Sequence, residues 1–100
     1  MAAGVLRFDW DPVKGRENER KHRVSFEEAL TVFWDEQALL IEDPDHSLEE
    51  QRFILLGISA VGRYLVVCHC YRESEGVIRM ISARKANVTE RRAYAARWSI

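Results

Sequence analysis

The sequence has no apolar run that approaches the ~20 residues a helix needs to cross a bilayer. The longest lie around Leu65-Val66-Val67-Cys68, and a membrane-spanning helix is excluded on that count. The first eleven residues carry Arg7 and Asp9 but no apolar h-region, so they do not read as a secretory signal, and a cytoplasmic location is expected. Cysteine is scarce: only Cys68 and Cys70, in Cys68-His69-Cys70. On a strand the two sulfurs would share one face and His69 the other, which is poor geometry for one metal ion. No second cysteine pair supplies zinc spacing, so the two read as small buried hydrophobes rather than ligands, and no metal or cofactor is expected. Internal repeats, low-complexity stretches and linkers are also missing, and 100 residues leave room for one domain, residues 1–100.

Lysine is the scarcest charged residue. Only Lys14, Lys21 and Lys85 occur, so 12 of the 15 basic residues are arginine, whose planar fork matches phosphate bidentately. The formal net charge of −1 hides a division: residues 1–50 carry 6 Lys+Arg against 13 Asp+Glu, and residues 51–100 carry 9 against 3. A basic second half suits a phosphate-rich ligand; the alternative is that the two halves neutralise each other in the fold. With 47% apolar and 31% charged residues, the chain can form a core and reads as globular rather than disordered.

Asp11-Pro12 is a cap followed by a proline suited to the first helical position, and a short polar helix is expected over Val13 to Lys21. Ser25-Phe26-Glu27-Glu28 has capping-box spacing, and Phe26, Ala29, Leu30 and Phe33 recur at helical intervals, so a second helix packs on a core. The link Lys21-His22-Arg23 makes the two a hairpin. Then the period becomes two. Ala38–Glu42, Gln51–Ser59, Arg63–Tyr71 and Val77–Arg84 read as strands joined by short links, with Phe8–Trp10 a candidate extra edge strand. Asn87-Val88-Thr89-Glu90 repeats the capping logic before a final helix running to Trp98. The fold class expected is α+β: two N-terminal helices, a four-stranded, mainly antiparallel meander and a C-terminal helix.

The densest polar cluster is Asp45-His46-Ser47-Leu48-Glu49-Glu50-Gln51-Arg52, in the connection leading into a strand. It brings together groups suited to proton transfer and phosphate stabilisation, although a solvated turn would contain the same residues. Strict alternation in the last strand puts Val77, Arg79, Ile81 and Ala83 on one face, with Ile78, Met80, Ser82 and Arg84 on the other. An arginine among such neighbours needs an anion or solvent, and a bulge could bring Arg84 and Lys85 to the surface of Arg79, with Tyr71 and Arg72 joining across the hairpin. An ion pair with the acidic first half would equally account for these arginines.

Five segments in order carry a resemblance: Phe8-Asp9-Trp10-Asp11-Pro12; Arg20-Lys21-His22; Val24-Ser25-Phe26-Glu27-Glu28-Ala29; Asp43 through Arg52-Phe53 with Gly57; and Ile78-Arg79-Met80-Ile81-Ser82-Ala83-Arg84-Lys85-Ala86. Together they closely resemble the BrnT family of bacterial toxins over residues 8 to about 94. The resemblance implies a RelE-like ribonuclease fold and the toxin role in a type II toxin-antitoxin pair. Its partner would be a BrnA-type ribbon-helix-helix antitoxin that carries the complex to operator DNA, and its substrate RNA. Lys21, His46, Glu50, Arg52, Arg79, Ser82, Arg84 and Lys85 stand on family motif positions. Two departures are Arg23, where the family usually has glycine, and Asp9 in place of the more usual glutamate.

The sequence offers no carboxylate cluster spaced for two cations, so cleavage is expected to be metal-independent, with the RNA 2′-hydroxyl as nucleophile. Glu50 or His46 would take its proton, Arg52, Arg79 and Arg84 would hold the phosphate, and Lys85 or Tyr71 would assist the leaving oxygen. The alternative is a non-catalytic RNA- or protein-binding module that uses the same basic face.

Overall fold

The computed structural model describes residues 7–43, 51–72 and 75–97. Strand β1 (Arg7–Asp9) leads into helix α1 (Pro12–His22) and helix α2 (Phe26–Leu30), which tightens into a 3-10 turn at Thr31–Trp34. Strands β2 (Leu39–Glu42), β3 (Arg52–Ile58), β4 (Tyr64–Arg72) and β5 (Val77–Lys85) follow, and helix α3 (Val88–Ala96) closes the order. The sheet runs β1-β5-β4-β3-β2, antiparallel throughout except for β1, which lies parallel to β5.

The α+β class holds, but the sheet is five-stranded and mixed rather than a four-stranded meander. The extra edge strand is present one residue earlier than Phe8–Trp10. Trp10 leaves the strand to meet Phe26 edge-on, with ring centroids 5.7 Å apart. The parallel pairing of β1 with β5 is long-range, since α1, α2 and three strands intervene between them.

The helix starts follow their caps. The Asp11 carboxylate accepts from Val13 N–H at 2.8 Å with Pro12 behind it, and Ser25 Oγ accepts from Glu28 N–H at 3.0 Å. At α3 the capping box is complete: Asn87 Oδ1 accepts from Glu90 N–H, and Glu90 Oε1 from Asn87 N–H, both at 2.8 Å. At Ser25 it is half formed, because the Glu28 carboxylate turns away to Ser59 and Arg63. Helix α1 stops at Arg23, which takes the left-handed conformation (φ 59°, ψ 32°) and donates its N–H to Glu19 C=O at 2.8 Å. The departure from glycine therefore leaves the helix-ending geometry intact, at a cost of about 1 kcal/mol for holding a side chain there.

Helices α1 and α2 cover one face of the sheet. The core between them holds Val24, Phe26, Ala29 and Val32 against Leu55, Leu65, Val67, Ile78, Met80 and Ala83. Gly57 admits the close approach of the 3-10 turn to β3, since a Cβ there would lie 2.9 Å from Val32 Cγ1, Ala38 Cβ and Asp35 Oδ2. Helix α3 covers one end of the opposite face, where Tyr94 and Ala86 pack on Leu56 and Val66.

One buried polar residue joins the layers. Asn18, on the otherwise polar α1, donates to Val24 C=O (2.9 Å) and Ala83 C=O (2.8 Å), and its Oδ1 accepts from Ala83 N–H (3.0 Å). Strand β1 pairs with β5 only as far as Arg79. Beyond that point the Asn18 amide occupies the edge of β5 as a neighbouring strand would, leaving Ala83 with no orphan backbone group on that side.

Candidate functional site

The face of the sheet opposite α1 and α2 collects most of the arginines singled out in the sequence. The cause is a β-bulge: Met80 pairs with His69 and Ser82 with Cys68, so Ile81 has no partner and the alternation of β5 changes phase. Before the bulge Ile78 and Met80 face the helices; after it Ala83 does, and Ser82 and Arg84 come to the face of Arg79. The strict alternation expected for this strand, with Ala83 beside Arg79 and Arg84 beside Met80, is corrected by this one inserted residue.

Register then builds the site in rows. Arg52 pairs with Cys70, Cys70 with Arg79, and Arg79 with Asp9, so one row crosses β3, β4, β5 and β1. Arg52 and Arg79 flank a single strand, about 10 Å apart at the usual spacing. Cys68 and Ser82 form the next row, and Arg84 stands two residue pairs further along, beside Val66. Cys68 and Cys70 share this face while His69 faces the opposite way, stacked with Phe53 and edge-on to Phe33, as alternation required. Burial pushes the Cys68 thiol up, Asp43 adds to that, and Arg52 pulls the other way.

Arg79 and Arg84 hold carboxylates on this face. Arg79 Nη1 meets Asp9 Oδ2 at 2.7 Å, with both side chains partly exposed. Arg84 grips Glu90 bidentately, Nη1 to Oε1 at 2.8 Å and Nη2 to Oε2 at 2.7 Å, and this contact holds the Glu90 carboxyl below its usual range. Glu90 therefore serves the α3 cap and Arg84 together. Asp9 belongs to the acidic first half, whereas Glu90 belongs to the second. The pair with Asp9 is of the kind expected with the acidic first half, although which carboxylate would serve was not legible; Glu90 gave no signal as a partner.

Tyr71 and Lys85 do not join this surface. Tyr71 pairs with Ile78 and Lys85 with Leu65, both on the helix-covered side. Tyr71 there lines an apolar groove of about 340 Å³ with Phe53, His69 and Leu40. The bulge that turns Arg84 toward Arg79 turns its neighbour Lys85 away. Arg72 does share the arginine face and lies 3.8 Å from Glu75. His46 and Glu50 lie outside the described residues. The ends of the connection that carries them are joined at Arg52, whose C=O accepts from Asp43 N–H at 2.8 Å. Among the described residues no three His, Cys, Asp or Glu side chains come together to hold a metal ion, and no helix is long and apolar enough to cross a membrane.

A protein-family model described as the ribonuclease toxin BrnT of type II toxin-antitoxin systems matches residues 10–90. Among solved structures, the crystal structure of the Brucella abortus ribonuclease toxin BrnT is similar in fold. It has a TM-score of 0.64 at 20% identity, covering 83% of this chain and 99% of that one. A search of curated proteins returned no match.

Proposed function

The chain belongs to the BrnT family of ribonuclease toxins of type II toxin-antitoxin systems, and from that premise we propose that its bulged, arginine-bearing sheet face binds RNA and cleaves it without a metal ion. The observation that carries this reading is that Arg52 and Arg79 flank one strand on a single face, with Arg84 on the same side. In the proposed reaction the 2′-hydroxyl oxygen attacks the adjacent phosphorus and the bond to the 5′-oxygen breaks, leaving a 2′,3′-cyclic phosphate and a 5′-hydroxyl. Arg52 and Arg79 stabilise the charge that grows on the phosphoryl oxygens. Arg79 spends one Nη on Asp9 and keeps further N–H donors for a ligand, so Asp9 aims it without consuming it. Arg84, oriented by Glu90, stands further along β5 on the same face, where it can meet the backbone beyond the scissile phosphate.

His46 or Glu50 acts as the base, as the sequence pattern and the family resemblance imply. The fold is taken to be RelE-like, the location cytoplasmic, and the partner a BrnA-type ribbon-helix-helix antitoxin. That antitoxin covers the basic face and brings the complex to operator DNA. The carboxylates held by Arg79 and Arg84 favour one rival, a surface that binds without cutting.

One assay separates the two readings. The purified chain is incubated with labelled RNA, with and without chelator, and the product ends are identified. Cyclic phosphate ends that survive chelation and disappear in Arg52→Ala and Arg79→Ala support the ribonuclease. Retention of intact RNA supports the binding module, and 5′-phosphate ends or abolition by chelator overturn the mechanism.

A further inference from the structure

The arginines of the sheet and its β3–β4 turn are mostly partnered: Arg63 with Glu28, Arg72 with Glu75, Arg79 with Asp9, and Arg84 with Glu90. Those of α1 are not. Among the described residues no carboxylate lies within ion-pair reach of Arg16, Arg20 or Arg23, although Glu19 lines the same groove. These four residues enclose an open groove of about 530 Å³. At about 100° per residue, Arg16 and Arg20 fall on one side of the helix, opposite the buried Asn18 that anchors α1 to β5, and Arg23 at the helix end lines the same groove. The anchor fixes the direction in which the stripe points, which is away from the sheet.

The third member of the stripe occupies a backbone position that disfavours a side chain. Arg23 ends the helix at φ 59°, where glycine is the unstrained choice. Strain retained at an exposed position indicates that the side chain is used for something other than folding. The Arg23 backbone is held from both sides: its N–H donates to Glu19 C=O, and its C=O accepts from Arg63 Nη2 at 3.0 Å.

We infer that the Arg16-Arg20-Arg23 stripe is a second nucleic-acid contact, separate from the arginine face of the sheet, that grips a phosphodiester backbone. Seven residues of helix span about 10 Å, the length of roughly three phosphates along a strand of duplex. Three unpaired guanidinium groups in a line over that span form a sequence-independent clamp. The chemistry is common to RNA and DNA. The inference does not depend on the chain being a ribonuclease.

The test uses the full chain and fluorescent single-stranded RNA whose 2′-hydroxyls are all methylated, so that it cannot be cut by the proposed route. Parallel arms use an RNA duplex and a DNA duplex. For Arg16→Gln/Arg20→Gln/Arg23→Gly, affinity near 0.1 M salt is expected to fall about 10-fold, and the slope of log K against log salt to flatten by about 2. Arg16→Lys/Arg20→Lys keeps the slope. Arg23→Gly alone binds more weakly yet melts higher than wild type, a combination that a purely structural arginine would not produce. Loss confined to the RNA arms assigns the stripe to RNA, and equal loss on the DNA duplex assigns it to any phosphodiester backbone. An unchanged affinity and slope in the triple variant, with melting confirming the fold, overturns the inference. Cleavage of a dinucleotide, too short to reach from the sheet to α1, reads the sheet site separately. If wild type leaves both the dinucleotide and unmethylated RNA intact while the triple variant still loses affinity for methylated RNA, the ribonuclease reading fails and the stripe stands.

Discussion

The two faces of the sheet use polar groups in opposite ways. On the helix-covered side they are sunk into the packing and fully engaged: Asn18 closes the open edge of β5. At the margin of that layer, the Asp35 carboxylate collects Ile58 N–H (2.9 Å), Gln37 N–H (3.0 Å) and Tyr94 O–H (2.8 Å). On the other side, charges stand in partly exposed pairs, Arg79 with Asp9 and Arg84 with Glu90. A buried hydrogen bond is costly to break because it strands its partners, whereas a half-exposed pair contributes little to stability and can be re-formed around a ligand. One face is built to hold and the other to exchange.

Asn18→Ala should break that contrast most sharply. It strands the N–H and C=O of Ala83 and the C=O of Val24, and it is expected to cost about 3 kcal/mol, read from the denaturation midpoint in urea. A loss under 1 kcal/mol would mean that water replaces the amide readily and that the edge is not sealed by it.

Arg79→Ala should give the opposite profile. Stability stays within about 0.5 kcal/mol of wild type, because the pair with Asp9 is partly exposed. RNA cleavage falls about 100-fold, the scale seen when one donor to a developing phosphoryl or acyl charge is lost. Unfolding in place of lost cleavage would make Arg79 a structural residue.

Tyr94 tests the margin where the two faces meet at Asp35. Burial, followed by the hydrogen bond to Asp35, raises its phenol from 10.0 to about 12. The folded value lies above the unfolded one, so the neutral phenol is favoured by folding. That contribution is fully present below pH 10 and is lost as pH rises toward 12. Tyr94→Phe should cost about 1 kcal/mol at neutral pH and flatten the alkaline fall in stability.

The smallest effect is expected at the acid end. The Arg63 hydrogen bond holds Glu28 below its usual 4.5 despite burial, so its contribution is present above that value and fades as pH drops through the depressed folded one. Glu28→Gln should shallow the loss of stability below pH 4.5, measured by urea unfolding between pH 2 and 6.

Local signals were readable where their partners are near in sequence. Asp11, Ser25 and Asn87 cap the helices that their spacing announced, since a cap bonds to a backbone two or three residues away. The alternation that separates Cys68 and Cys70 from His69 is equally local. The full capping box expected at Ser25 failed because Glu28 found Arg63, 35 residues on. Asn18 gave no signal at all: a lone asparagine in a polar helix looks solvated until β5 arrives beside it.

The sequence by itself determined the α+β class, the element order from α1 onward and the arginine-rich character of the second half, because periodicity, caps and composition depend only on neighbours along the chain. Only tertiary structure decided which arginines share a surface. The bulge at Ile81 turned Arg84 toward Arg79 and Lys85 away, and the parallel docking of β1 gave Arg79 its carboxylate. The physical reason is that a one-residue shift inverts every side chain beyond it, and the pairing that places the shift joins strands whose contact is set by the whole sheet.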